Sequence, residues 1–425
     1  HKAQNVLASL VLFVSLWLIK QMDDFSKRFS SLTPEQLALL ELRLKKQGLR
    51  SPLEQTSVVE PSAPPAEQSE EEFDWKSRPV EKSLSFTLYF FSDDGAKDSP
   101  DKYRLVLESA KFADRNGFSA VWTPERHCQD FGGLYPNPSV LSAALAMITE
   151  RVQIRAGSVA LPLHHPVRVA EEWSVVDNLS NGRVAISFAS GWHPDDFIFA
   201  PTDYEDRKEV MFRHIELIQR LWGGETFMMP GVDGREVPVR LLPKPLQRRL
   251  PIWITSAGSP ETWIRAGEIG ANILAALIGY SFEDLAERIR SYREARARSG
   301  YNRQAGIVSI MVHTFVGPNN SAVKEQVRAP FTHYLRSYFK QYDNVRVTPE
   351  DVTEADRDAI MTAAFEHYFE TNTLMGTPAK CSGVIEQLLA ADVDEVACLV
   401  DFGVEADAVL GNLEYLNELR EHYGK

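Results

Sequence analysis

From Leu84 onward, short apolar runs alternate with longer stretches in which apolar positions return every three or four residues. Runs of four to eight apolar residues bounded by turn residues predict buried strands, and the longer period predicts helices packed on them. On this basis LSFTLYFF is a strand, residues 101–116 a helix stopped by Gly117, and FSAVWT a second strand. A helix from Pro138 through SVLSAALAMIT leads to the third strand, VQIRAGSVAL. The helix PVRVAEEWSVVDNLS, closed by Asn181 and Gly182, follows it. RVAISFAS, PIWITSAG, ANILAAL, AGIVSIMVHTFV and EVACLVD are the remaining strands, with the helix DRKEVMFRHIELIQRLW after the fourth. Eight strand–helix units predict an α/β fold, a (β/α)8 TIM barrel with insertions. The alternative, a doubly wound open sheet, lacks a Gly-x-Gly-x-x-Gly after any early strand. Residues 223–249 and 341–374 break the repeat and are long enough to be lids or dimer contacts.

Upstream the periodicity changes. Residues 1–50 form a helical segment, in which Thr33 suits an N-cap, Pro34 the first turn and Gly48 a stop. Leu37, Leu40 and Leu44 share one stripe of that helix. Residues 51–82, rich in Pro, Ser and Glu, bury too little apolar surface to offset ordering and read as a linker. Residues 83–425 are then the barrel. The apolar run Val6–Ile19 would span roughly 20 Å as a helix, short of a bilayer core of about 30 Å. It predicts a helix packed on a partner rather than a membrane span, and a chain opening on His1 predicts a piece of a longer protein.

Composition narrows the function. Acidic residues outnumber basic ones, 59 to 46, for a net charge of −13. No basic block stands out to neutralise phosphates, which argues against a nucleic-acid partner. Cys128, Cys381 and Cys398 are scattered and odd in number, with neither a disulfide framework nor zinc-type pairs. A reducing, cytoplasmic setting follows.

Barrel enzymes of this kind carry their reactive groups at strand C-terminal ends. Reading those positions gives Glu125, Arg126, His127 and Cys128 after strand two, and Gly157 and Ser158 within strand three, which leads to LPLHHP. Ser190–Phe197 follows strand four and Ser256–Thr262 follows strand five. In SAGSPET, Ser259 suits an N-cap and Pro260 a first turn, so free N–H groups and a partial positive charge offer a phosphate seat. A plain helix cap is the competing reading, and Glu261 can use the same positive end itself. His127 and His193 sit beside polar loop residues where acid–base work is feasible, against a structural role for each. Of His164 and His165, which precede Pro166, at least one reads as a loop residue without chemistry. No His/Asp/Glu set has a metal-ligand spacing, and Cys128 reads as a small buried residue.

TPERHCQDFGG, LPLHHPVRVAEEWSVVDNLSNGR, SGWHPDDF and AGSPET resemble, in order and spacing, the bacterial luciferase-like flavin monooxygenases, over residues 84–416. More narrowly, TPERH with SGWHPDDF resembles the subgroup embedded in non-ribosomal peptide and polyketide synthases. LTPEQLALLELRLKKQG and the linker after it resemble segments that begin or join modules in those synthases. The resemblance implies FMN, bound without covalent attachment as FMNH2, and O2. It assigns the FMN phosphate to Ser259 and Thr262, with Ser256 and Gly258 in the same loop. It sets the Gly157–Ser158 backbone, often a cis peptide, against the isoalloxazine, and brings Ser190, Gly191 and Trp192 to the cofactor from the strand-four loop. Glu125, Arg126 and His127 fall in the strand-two active-site motif. Luciferase itself has a histidine at Arg126 and an arginine at Ser190. The first departure moves the base role to His127, and the second makes Arg183 or Arg265 substitute phosphate contacts. Arg126 is then a cation for flavin or a substrate carbonyl, and His193 a second acid or base. Trp122, Phe131, Trp192 and Trp253 supply a wall that keeps water out.

The implied activity is an FMNH2- and O2-dependent monooxygenase acting on an acyl or peptidyl chain held by a carrier protein. Hydroxylation next to the thioester carbonyl is the first expectation, ahead of oxygen insertion beside a ketone or N-oxygenation. The implied partners are that carrier protein, a separate flavin reductase, neighbouring synthase modules, and a second copy paired through helices two and three. An F420-dependent hydride-transfer enzyme and a non-catalytic docking barrel are the alternatives.

Overall fold

The computed structural model describes residues 75–91, 101–191, 193–201, 203–343 and 354–424. The expected N-terminal helical segment, most of the linker and Trp192 lie outside the described residues.

In chain order the strands are β1 (Ser85–Phe90), β2 (Ala120–Thr123), β3 (Gln153–Ala160), β4 (Val184–Ala189), β5 (Phe227–Pro230), β6 (Glu236–Val239), β7 (Ile252–Ser256), β8 (Asn272–Ala276), β9 (Val308–Val316), β10 (Leu374–Gly376) and β11 (Glu395–Asp401). Eight of them pair in parallel in the order β1-β2-β3-β4-β7-β8-β9-β11, and β11 returns to β1. The sheet therefore closes on itself, an eight-stranded parallel barrel with no free edge. All eight predicted strands are its staves. The helices around it are α1 (Arg104–Arg115), α2 (Pro138–Ala146), α3 (Pro166–Leu179), α4 (Arg207–Trp222), α5 (Pro260–Glu268), α6 (Phe282–Arg298), α7 (Asn320–Asp343), α8 (Glu354–Thr371), α9 (Pro378–Ala390) and α10 (Ala406–Tyr423). Among the described residues no helix is long and apolar enough to cross a membrane.

Local chemistry explains the element ends. Asn137, extended and followed by Pro138, accepts the Val140 N–H at 3.1 Å and starts α2. Ser281 does the same for α6 through Asp284 N–H at 3.1 Å. Asn181 and Gly182, both at positive φ, turn the chain from α3 into β4.

The two segments that broke the repeat have structure of their own. Within 223–249, β5 and β6 form an antiparallel hairpin. Within 341–374, α7 ends, α8 begins at Glu354, and β10 adds a short parallel strand beside β9. The packed shell also starts earlier than the predicted boundary at 83. Trp75 is buried and stacked on Tyr423, while Arg78 pairs with Glu386 and Lys82 with Asp392. One aromatic side chain with a tail-end partner suffices to pin a segment whose composition otherwise reads as linker.

The barrel interior is filled rather than hollow. Arg155 on β3 lies between the rings of Trp122 and Trp253, 4.7 and 4.4 Å from their centroids. Its charge meets Glu395 of β11 at 2.7 Å, and Ser309 donates to the same carboxylate at 2.6 Å. Trp253 in turn donates to Ser309 at 3.0 Å, and Trp122 donates to Thr87 at 3.0 Å. The polar groups named in this layer are thus paired with one another, as a water-poor interior demands. The layer forms the floor beneath the C-terminal mouth.

Candidate active site

At the mouth, Gly157 lies directly on the floor. A Cβ there would come within 2.9 Å of both Trp122 and Tyr89, so no side chain fits between this backbone and the aromatic layer. Tyr89 also donates to the Gly157 carbonyl. The Gly157–Ser158 peptide is cis, as the family resemblance implied. Ser158 and Ser187 each sit 2.6 Å from the Thr255 hydroxyl, which links β3, β4 and β7 into one polar wall.

Glu125 leaves β2 into this mouth. Its carboxylate, with 1% of the side chain exposed, accepts from His127 Nε2 at 2.8 Å and from His164 Nε2 at 2.5 Å. The other oxygen accepts the Ala160 N–H at 2.7 Å. Burial raises the Glu125 pKa, but the two imidazole hydrogen bonds outweigh it and hold the group below its ordinary value, as a carboxylate. Burial likewise opposes the charge on His164, and Glu125 overrides it, so the His164 pKa is raised. The sequence reading left one of the two histidines before Pro166 without chemistry. That description fits His165, which is exposed and precedes α3, and not His164. His164 follows a short 3-10 turn at Leu161–Leu163; its position on the loop after β3 was the signal that could have revealed it.

Sequence spacing contained no metal set, yet the fold brings Glu125, His127 and His164 within 4.8 Å of one another. Ligands held about 2.0–2.1 Å from a tetrahedral zinc are separated by about 3.3 Å. The 2.8 and 2.5 Å contacts are shorter and are those of hydrogen bonds to a shared oxygen.

Three expectations for the loops after β2 and β4 are corrected. Arg126 is not a cation offered to flavin or substrate: it is 2% exposed and donates to Asp196 at 2.7 Å and to Gln129 at 3.2 Å. A guanidinium this deep requires a carboxylate, and the loop after β4 supplies it. His193 is fully buried, and its Nδ1 accepts the Asp195 N–H at 3.3 Å, so it caps a short 3-10 helix, Pro194–Phe199, instead of facing the mouth as a second acid or base. Burial, then the nearby Arg126, push its pKa down, which suits a neutral acceptor. Cys128, read as buried, is exposed and at a φ of 57°.

The strand-four loop continues through Ser190, whose hydroxyl points to the Gly191 carbonyl at 3.4 Å. Gly191 is at positive φ, a Cβ there would press within 2.9 Å of Phe197, and Arg207 donates to its carbonyl at 3.2 Å. After β7, buried Ser256 donates to the Ser259 carbonyl at 3.4 Å, and beside Gly258 the nearest atom to a notional Cβ is the Tyr280 hydroxyl at 3.8 Å. A Cβ at Gly258 would make only an ordinary van der Waals contact there, so the backbone before α5 is not crowded. Thr262 N–H is engaged by the Ser259 carbonyl at 3.2 Å. The seat also carries its own carboxylate: Ser259 donates to exposed Glu261 at 2.6 Å, and that hydrogen bond lowers the Glu261 pKa. Lys208 Nζ, on α4, is 3.5 Å from the Ser259 hydroxyl. It was missed because it lies in the first turn of α4 among other charges, 51 residues before Ser259. The substitutes expected for a phosphate contact are elsewhere: Arg183 binds the Val152 and Thr149 carbonyls at 2.6 and 2.7 Å at the opposite end of the barrel. Arg265 is tied to Glu209 and lies over Phe212.

Across the mouth the lining changes character. His313 on β9 packs against Tyr334, Phe331 and Phe402, with centroids 4.6, 4.8 and 5.8 Å away. Phe131, expected in the water-excluding wall, lies between Phe91 and Tyr334 on this side. Burial alone drives the His313 pKa down to about 3, and its Nε2 has no hydrogen-bond partner.

A closed parallel barrel whose mouth pairs a buried carboxylate–imidazole set with a side-chain-free backbone and a helix start has the layout of a barrel enzyme. The chain belongs to the luciferase-like monooxygenase family, whose sequence model matches residues 82–395. It is 25% identical, over 350 residues, to the oxygenase component of flavin-dependent trigonelline monooxygenase of Acinetobacter baylyi, covering 79% of this chain and 94% of the relative. Among solved structures, monooxygenase RslO1 from Streptomyces bottropensis superposes with a TM-score of 0.68 at 21% identity, over 80% of this chain and 100% of that one. The oxygenating constituent of 3,6-diketocamphane monooxygenase from Pseudomonas putida, in complex with FMN, does so with a TM-score of 0.64 at 16% identity, over 79% and 97%. These two likenesses concern the fold.

Proposed function

We propose that the chain is the oxygenase of a two-component system that uses FMNH2 and O2 on an acyl or peptidyl chain tethered to a carrier protein. The reaction is hydroxylation beside the thioester carbonyl. Reduced FMN, when bound, supplies the two electrons with which one oxygen atom of O2 enters the substrate and the other leaves as water. The observation that carries this reading is the convergence at one mouth of the bare Gly157 backbone, the start of α5 with Lys208 beside it, and the Glu125–His127 pair.

The residues present fit the cofactor. Gly157 and Ser158 are a flat, side-chain-poor surface for a ring system. Ser259, Thr262 and Lys208 would hold the phosphate once exposed Glu261 rotates away, since a dianion outcompetes a single carboxylate at a helix start. His127 is the proton manager: its Nε2–H is committed to Glu125, which leaves Nδ1 as the atom that accepts or delivers a proton. The aromatic side of the mouth excludes water from that exchange.

A separate reductase is supported by the relative's description as an oxygenase component. The carrier protein and synthase setting rest on the helix and linker that precede the barrel in sequence. Exposed Val140, Met147, Val175 and Leu179, on or beside α2 and α3, support pairing of two copies through those helices. The test is incubation with FMNH2, air and an acyl-loaded carrier protein, followed by intact-protein mass spectrometry. A gain of about 16 Da, the mass of one oxygen atom, on the carrier is expected. Anaerobic turnover with F420 and none with FMNH2, or no flavin binding at tens of micromolar, overturns the proposal.

A further inference from the structure

We propose that Arg288, on α6, is a phosphate-binding residue that completes the anion seat at the start of α5. The inference rests on the reading that FMN places its phosphate there. Arg183 and Arg265, the arginines expected to serve that seat, are committed elsewhere. Arg288 is partly buried in the second turn of α6, a helix that packs along α5. A helical side chain leans toward the N-terminus of its own helix. Arg288 therefore leans toward the end of the barrel where Ser281 caps α6 and Ser259 stands at the head of α5. Its guanidinium carbon is 5.9 Å from the centroid of the Tyr280 ring, and the Tyr280 hydroxyl is the nearest atom to a notional Cβ on Gly258. One aromatic residue thus joins Arg288 to the loop that leads into α5.

The second observation is an unmet hydrogen bond. Arg288 Nη1 is buried and has no acceptor. A charged N–H taken from water without a partner is costly, and the face of Tyr280 offsets only part of that cost. The other buried arginines of α6 are fully engaged. Arg293 pairs with Asp392 and Asp394 at 3.0 and 2.7 Å, and Arg296 donates to the Ala271 carbonyl at 2.9 Å. Arg288 is left with a planar fork that suits the oxygens of a phosphate. The local field agrees. The Glu261 pKa is lowered first by the Ser259 hydrogen bond, and Lys208 and Arg288 both add to the effect. A phosphate dianion that displaces this carboxylate meets the same two cations, one from α4 and one from α6.

Two variants test the assignment by flavin-fluorescence titration of the full chain. Arg288→Gln removes the charge and should weaken FMN binding about tenfold, with riboflavin binding unchanged. Arg288→Lys keeps the charge but not the fork and should lose only about threefold. Unchanged FMN affinity in Arg288→Gln, or an equal loss for riboflavin, would overturn the assignment. A second measurement needs no flavin. Without ligand, Arg288→Gln should hold or raise the thermal midpoint, because it removes an unpartnered buried N–H. A fall of about 3 °C or more would mean that the protein itself uses the guanidinium, and would overturn the assignment as well. Inorganic phosphate at about 50 mM, compared with chloride at matched ionic strength, should raise the native midpoint by about 1 °C or more and leave that of Arg288→Gln in place. Equal shifts in the two proteins would put the anion elsewhere. A native chain that binds phosphate through Arg288 but neither flavin would sink the proposed function and leave the anion site standing.

Discussion

Arg155 and Glu395, 240 residues apart in the chain, form a buried ion pair inside the barrel, with Nη1 donating to both carboxylate oxygens at 2.7 and 2.9 Å. The pair joins β3 to β11 across the interior. Burial depresses the Arg155 pKa, and only the carboxylate keeps the guanidinium charged between its two tryptophans. Glu395→Gln therefore strands a cation without solvent. It should destabilise the protein by about 3 kcal/mol or more, read as a shift in the urea midpoint. An unchanged midpoint would mean that the floor is not held by this pair.

Gly157→Ala tests the contact between the mouth and its floor. The added methyl carbon meets Trp122 and Tyr89 at 2.9 Å, so the backbone must lift toward the space assigned to flavin. A loss of about 1–3 kcal/mol in stability and at least tenfold weaker FMN binding are expected. Denaturation and flavin-fluorescence titration give the two numbers separately.

At the helix start, Glu261→Gln removes the protein's own anion. If phosphate and carboxylate compete for α5, FMN affinity should rise about fivefold, and Lys208→Ala should lower it by a similar factor. Riboflavin, which has no phosphate, should respond to neither change. A riboflavin response as large as that of FMN would place the phosphate elsewhere.

The shared carboxylate makes a prediction about pH. Glu125 has its pKa lowered from 4.5, so its contribution is present above that value and is lost as pH falls through the folded-state pKa. His164 has its pKa raised from 6.5, so its contribution is complete below that value and is lost as pH rises through the folded-state pKa. Both operate together between 4.5 and 6.5. Glu125→Gln should thus cost most stability in that interval, about 1–3 kcal/mol, and less on either side. Chemical denaturation at stepped pH measures the difference.

His313 acts in the opposite sense. It is buried neutral with a pKa of about 3 against 6.5 when unfolded, so stability is present above 6.5 and declines as pH falls toward 3. His313→Leu should flatten that decline by about 1.4 kcal/mol per pH unit below about pH 6. Because Nε2 has no partner to lose, stability at neutral pH should hold or rise.

The staves of the barrel were legible in the sequence because each is a continuous apolar run, and a parallel strand buried on both faces needs nothing else. The motif after β2 was legible by position, and so were Gly157, Ser158 and the start of α5. What the sequence could not show is pairing between distant segments. Arg126 looked like a free cation because Asp196 lies 70 residues away, and His164 could not be told from His165 because its partner precedes it by 39. The β5–β6 hairpin escaped notice for another reason: four-residue strands with one exposed face carry little periodic signal. Trp75, one aromatic in a polar stretch, was invisible to any average over composition.

The distribution of lining around the mouth has a directional consequence. Ions and hydroxyls are gathered on the arc from β2 to β7, while His313, Phe331, Tyr334 and Phe402 cover the arc of β9 and β11. A flat guest with one hydrophilic rim has a single orientation that satisfies both arcs. An apolar portion of a substrate entering beside it would meet the aromatic flank, which biases how that guest lies.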